Sequence, residues 1–177
     1  MSDLTNTKLL HEMLRDAGFS FTAPPDNQPP PAIGDLTSLS FEDNTGDSWI
    51  FYIFSTRDQA SLRFYSSIAT PINPFTPLPT LDLINKLNAA YFFKSSLDYI
   101  DNPLSVRYKA AFDYPLKGLP AYEAMSAIRH HIVCSSYLHH LLKFGYKQPY
   151  PFSPIILGTL IADTNKLMGY SQAPAFL

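Results

Sequence analysis

Hydrophobic and polar positions along this chain repeat with two periods, and each change of period marks an element. In residues 81–91 (LDLINKLNAAY), Leu83, Ile84, Leu87, Ala90 and Tyr91 share one arc of a helical wheel. Asp82, Asn85, Lys86 and Asn88 fall outside that arc, so the spacing predicts an amphipathic helix with a defined inner side. The period then becomes two. Leu97 and Tyr99 alternate with Ser96 and Asp98, residues 101–104 turn the chain, and Val106, Tyr108, Ala110, Phe112 and Tyr114 alternate with Arg107, Lys109 and Asp113. That is a β-hairpin.

Upstream, Leu9, Leu10, Met13, Leu14 and Ala17 predict a first helix over 5–17, capped by Thr5 or Thr7 and ended by a left-handed Gly18. Prolines crowd FTAPPDNQPPPAIGD, which reads as an extended surface linker. Thr37, Leu39 and Phe41 alternate with serines as a half-buried strand, and residues 44–47 form a turn. Residues 49–54 (WIFYIF) are continuously apolar, which predicts a central strand covered on both faces, with a binding edge as the other reading. After a break at 56–58, Leu62, Phe64 and Ile68 alternate with Arg63, Tyr65 and Ser67. A second proline-rich crossing, 71–79, leads into the central helix. Pro120 opens a long helix over 121–144, stopped at Gly145, and a short helix is expected around 155–168. The fold class is therefore α+β: a five-stranded antiparallel sheet packed with helices, in the order α-β-β-β-α-β-β-α. Residues 1–145 read as a single domain and 146–177 as a C-terminal extension packed on it.

This order looks like the fold of type III secretion chaperones. LLHEMLRDAGFSF, INKLNAAYFFKSSLDYID and YKAAFDYPLKGLPAYEAMSAI further resemble the YbjN family, bacterial proteins labelled sensory transduction regulators. The resemblance covers roughly residues 5–145, with Asn88 and Gly118 in the places of the family's helix asparagine and glycine. It departs in the aromatic second strand, the proline-rich linkers and the tail. It implies a protein without enzymatic activity, since chaperone-like members bind protein segments.

Composition narrows the function further. With 46% hydrophobic and 16% charged residues the chain should fold, and a net charge of −2 without a basic run argues against nucleic acid. The 13 Phe and 11 Tyr fill either a core or an additional interface. The single Cys134 excludes an intrachain disulfide and fits a reducing compartment. The N-terminus lacks a basic segment followed by an apolar core, and no apolar run approaches the roughly 20 residues of a membrane helix. A cytoplasmic protein with no membrane partner is expected.

Candidate chemistry is sparse. His130, His131, His139 and His140 flank Cys134, and Cys134 follows His131 and His130 by three and four positions, a metal-ligand spacing. The two histidine pairs point apart on the wheel, however, so His139 and His140 read as solvated and His130 and His131 as lining a packed face. Cys134, among Ile132, Val133, Tyr137 and Leu138, reads as a core residue. No phosphate loop, nucleophile elbow, metalloprotease motif or carboxylate pair is present, so no catalytic residue, metal or cofactor is expected. Asn88 is either a recognition or cross-element hydrogen-bonding residue or a local helix cap. Leu81 and Phe92 lie off the inner arc on the side of Asn85. Leu81, Asn85, Asn88 and Phe92 are the expected interaction surface, half of a homodimer seam. The function expected is non-enzymatic protein binding, as a chaperone-like protein or regulatory adaptor. The alternative is a small-molecule-binding or enzymatic domain with an aromatic-lined pocket.

Overall fold

The computed structural model describes residues 3–23, 34–42, 46, 48–56, 60–68, 78–91, 95–101, 104–148 and 150–175. The expected linker at 24–31, most of the turn at 44–47, residues 57–58 of the break, the crossing at 71–77, the hairpin loop at 102–103 and Phe92 lie outside them. The elements are α1 (Asp3–Asp16), β1 (Gly34–Glu42), β2 (Ser48–Thr56), β3 (Ser61–Ile68), α2 (Leu78–Tyr91), β4 (Ser96–Asp101), β5 (Leu104–Asp113), α3 (Ala121–Gly145) and α4 (Pro154–Met168). The strands form one antiparallel sheet in the order β1-β2-β3-β5-β4. The α+β class and element order stand as read, with α4 appended. No helix among the described residues is long and apolar enough to cross a membrane.

The chain divides into two compact units, residues 1–66 with 109–131 and residues 67–108 with 132–177. In the first, α1 places Leu10 and Leu14 in the core one turn apart. It ends in a Schellman motif: Phe19 N–H donates to Leu14 C=O and Gly18 N–H to Arg15 C=O, both at 2.9 Å. Gly18 takes the left-handed φ of 80° that the motif needs. β1 and β2 pair so that Thr37 faces Ile53, Leu39 faces Phe51 and Phe41 faces Trp49. Leu62 and Phe64 of β3 and Ala124 and Ile128 of α3 add to the buried set.

In the second unit, α2 buries Thr80, Leu83, Ile84 and Leu87. Ala90, expected on the inner arc, is exposed. It lies in the last turn, at the margin of a stripe centred on Leu83 and Leu87. Gly145 ends α3 without a left-handed φ. It is glycine for another reason: a Cβ there would lie 2.5 Å from Leu83 Cδ2. Ser153 caps α4 through Ile156 N–H at 3.2 Å. Residues 137–142 of α3 are buried in succession, so His139 and His140, expected in solvent, are only 3% and 8% exposed. Wheel angles imply exposure only for a helix covered on one side. Here Tyr137 reaches Asn165 of α4, Gly145 meets Leu83 of α2, and Cys134 bonds Tyr108 of β5.

Candidate functional site

Expected to be covered on both faces, β2 is fully buried on one, and among the described residues no helix is seen to cover the other. Trp49, Phe51, Ile53 and Ser55 are buried, while Ile50 is 40% exposed and Tyr52 and Phe54 are half-buried. Among the described residues, the contacts that α1 and α3 make in the first unit reach the inner face of the strands. From α1, Thr7 Oγ1 donates to Asp35 at 2.8 Å and His11 meets Thr37 at 2.9 Å. From α3, His131 stacks on Phe51 with ring centroids 4.6 Å apart and lies 5.4 Å from Phe64.

The other parity builds the outer face. Directly paired residues project to the same side, so Leu36 lies opposite Phe54, Ser38 opposite Tyr52 and Ser40 opposite Ile50. Phe54 meets Tyr65 of β3 edge-on at 5.4 Å. Large side chains on β2 thus stand as a ridge beside the serines of β1, with Leu36 and Tyr65 flanking one end. The charged group nearest this set in β3 is Arg63, in a 4.0 Å ion pair with Asp113. Both partners are well exposed, so the pair adds little stability. Three strands about 4.8 Å apart and roughly eight residues long make a face of about 370 Å². Its apolar part is the ridge of Ile50, Tyr52 and Phe54 with Leu36 and Tyr65.

Other reactive groups lie in packed surroundings. Ser66 Oγ and His131 Nε2 share a 3.0 Å hydrogen bond, the pairing of a nucleophile with its base. Ser66 and His131 are 0% and 1% exposed, beneath two phenylalanine rings, so substrate has no approach. Burial, with the charge of neighbouring His130, pushes His131 down to about 3, too weak a base at neutral pH. In the second unit, burial pushes the Cys134 thiol up to about 12 against the opposing hydrogen bond from Tyr108. It is a protonated core thiol, not a nucleophile. No group of three or more potential metal ligands occurs among the described residues. An open depression of about 430 Å³ is lined by Val133 and residues 169–175, including Tyr170, Ser171 and Gln172. It brings one aromatic ring and no acid or base together.

Of the α2 stripe, Leu81 is half-buried, Asn85 is exposed, and Phe92 is outside the described residues. Asn88 bonds across elements: its side chain accepts from Leu97 N–H at 2.8 Å and donates to Leu97 C=O at 2.9 Å. Asp82, read only as a polar outer residue, pairs with Lys86 and accepts from Phe152 N–H at 3.1 Å. The Lys86 bond, joined by that of Phe152, holds its carboxyl below the usual range. Nothing in the spacing of LDLINKLN announces that second partner, seventy residues on. No protein-family model, curated protein or solved structure matches the chain.

Proposed function

We propose that this protein is a non-enzymatic protein-binding domain, chaperone-like or a regulatory adaptor, that engages its partner through the outer face of β1, β2 and β3. One observation carries the reading: an apolar ridge of Ile50, Tyr52 and Phe54 stands on the face opposite to α1 and α3, with Ile50 40% exposed. A strand with one solvated face ordinarily alternates apolar and polar residues, and β2 keeps large apolar side chains on both sides. Covering apolar surface contributes roughly 25 cal/mol per Å². Lost translational and rotational freedom offsets much of that. The face is also smaller than the roughly 800 Å² per partner of a stable complex, so binding is transient. The YbjN-like stretches support a role without catalysis. The buried free thiol Cys134 fits a reducing, cytoplasmic setting. A second copy of the chain, forming a homodimer, is one partner this face would accept.

The test is photo-crosslinking in living cells from a reactive residue at position 52, with position 122 (Tyr122 is 83% exposed) as control. A discrete adduct from position 52 alone, abolished by Ile50→Lys, is expected. An adduct of twice 19.9 kDa identifies the homodimer, and any other mass a different protein. The same adducts from both positions, or none that Ile50→Lys removes, refute the reading.

A further inference from the structure

The strand β4 is last in the sheet order, with β5 on one side and the sheet's boundary on the other. Along an antiparallel strand the N–H and C=O of each residue point to one side, and successive residues alternate. Asn88 takes both groups of Leu97, accepting from its N–H at 2.8 Å and donating to its C=O at 2.9 Å. These are the two bonds a neighbouring strand would make, supplied here by a side-chain amide. Leu97 therefore points away from β5, and alternation puts Tyr99 and Asp101 on the same outward side. At the other boundary, Thr22 makes the same two bonds with its backbone: Thr22 N–H to Ser38 C=O at 2.8 Å and Ser38 N–H to Thr22 C=O at 2.9 Å.

We infer that Asn88 closes the β4 edge against pairing with the β4 edge of a second copy of this chain. Antiparallel pairing about a two-fold axis at Tyr99 sets Leu97 opposite the other copy's Asp101, Tyr99 opposite Tyr99, and Asp101 opposite Leu97. Symmetry makes one plug count twice: occupying Leu97 in both copies removes two of these three residue pairs. Beside the axis, charge does not protect the edge in its place, because this register sets Asp98 opposite Ile100 rather than opposite another acid. An edge strand with outward peptide groups is a template for association unless something covers it. Among the described residues, the cover at Leu97 on β4 is the Asn88 side chain, contributed by α2.

Sedimentation over a range of concentrations, with amide hydrogen exchange at Leu97 and Tyr99, tests this in the full chain. Asn88→Ala is expected to self-associate at least tenfold more tightly than wild type, with the Tyr99 amide gaining protection as concentration rises. Adding Tyr99→Pro, which removes the central outward N–H, returns the protein to wild-type behaviour. Asn88→Asp keeps the acceptor for Leu97 N–H but sets a carboxylate against its C=O. It shifts association the same way and serves if the alanine variant folds poorly. A folded Asn88→Ala or Asn88→Asp that sediments as wild type overturns the inference, as does association that survives Tyr99→Pro.

Discussion

The two faces of β2 are built from the same kind of residue and used oppositely. Phe51 and Ile53, both 0% exposed, lie on the inner side, Phe51 against His131 of α3; Ile50, Tyr52 and Phe54 alternate with them and face away. Phe51 has a neighbour on every side: Leu39 across the strand pair, Phe64 edge-on at 5.6 Å and the His131 ring stacked above. Tyr52 has Ser38 opposite it. Hydrophobicity alone therefore does not make a core. A core needs a second layer: on the inner side α1 and α3 supply it, whereas on the outer side Ile50 stays 40% exposed.

Substitutions on the two faces should separate this account from one in which both are structural. The largest effect is expected on the inner side. Phe51→Ala empties a closed site and should cost about 3–5 kcal/mol, read as a lower denaturant midpoint with an unchanged slope. A loss below about 1 kcal/mol would place Phe51 outside the core.

Acid should act on the inner face next. The unfolded chain's imidazole takes up a proton near its ordinary 6.5, whereas folded His131 stays neutral down to about 3. Its contribution is thus fully present above 6.5 and is lost as pH falls toward 3, at about 1.4 kcal/mol per pH unit. Denaturation at several pH values between about 6.5 and about 4.5 should show a slope steeper by about that amount in wild type than in His131→Phe. Equal slopes would mean that His131 protonates in place.

Much of this architecture was legible in the chain, and the failures have physical causes. Gly18 after Leu14 and Ala17 marked the end of α1 because few residues other than glycine take a left-handed φ readily. The alternation of Leu62, Phe64 and Ile68 marked β3 because one of its faces is buried. WIFYIF misled because an unbroken apolar run does not say which side carries a second layer. His139 and His140 misled because α3 has neighbours around its circumference in its second half, and a wheel of its own residues does not contain them. Asn88 was readable as a hydrogen-bonding residue, but its partner depended on where β4 begins. The outer ridge had a signal all the same: apolar residues at both parities of a strand call for two coverings, and α1 and α3 supply one.

The smallest stability effect, and the most direct test, belongs to the ridge itself. The double variant Ile50→Ser, Tyr52→Ser, with the photo-reactive residue moved to Ser40 opposite Ile50, should be measured for both denaturant stability and cross-linked adduct. The account predicts a loss of no more than about 1 kcal/mol, as for changes away from a core, together with disappearance of the adduct that Ser40 gives in the wild-type background. A loss of about 3 kcal/mol or more, or an adduct that persists, would contradict it.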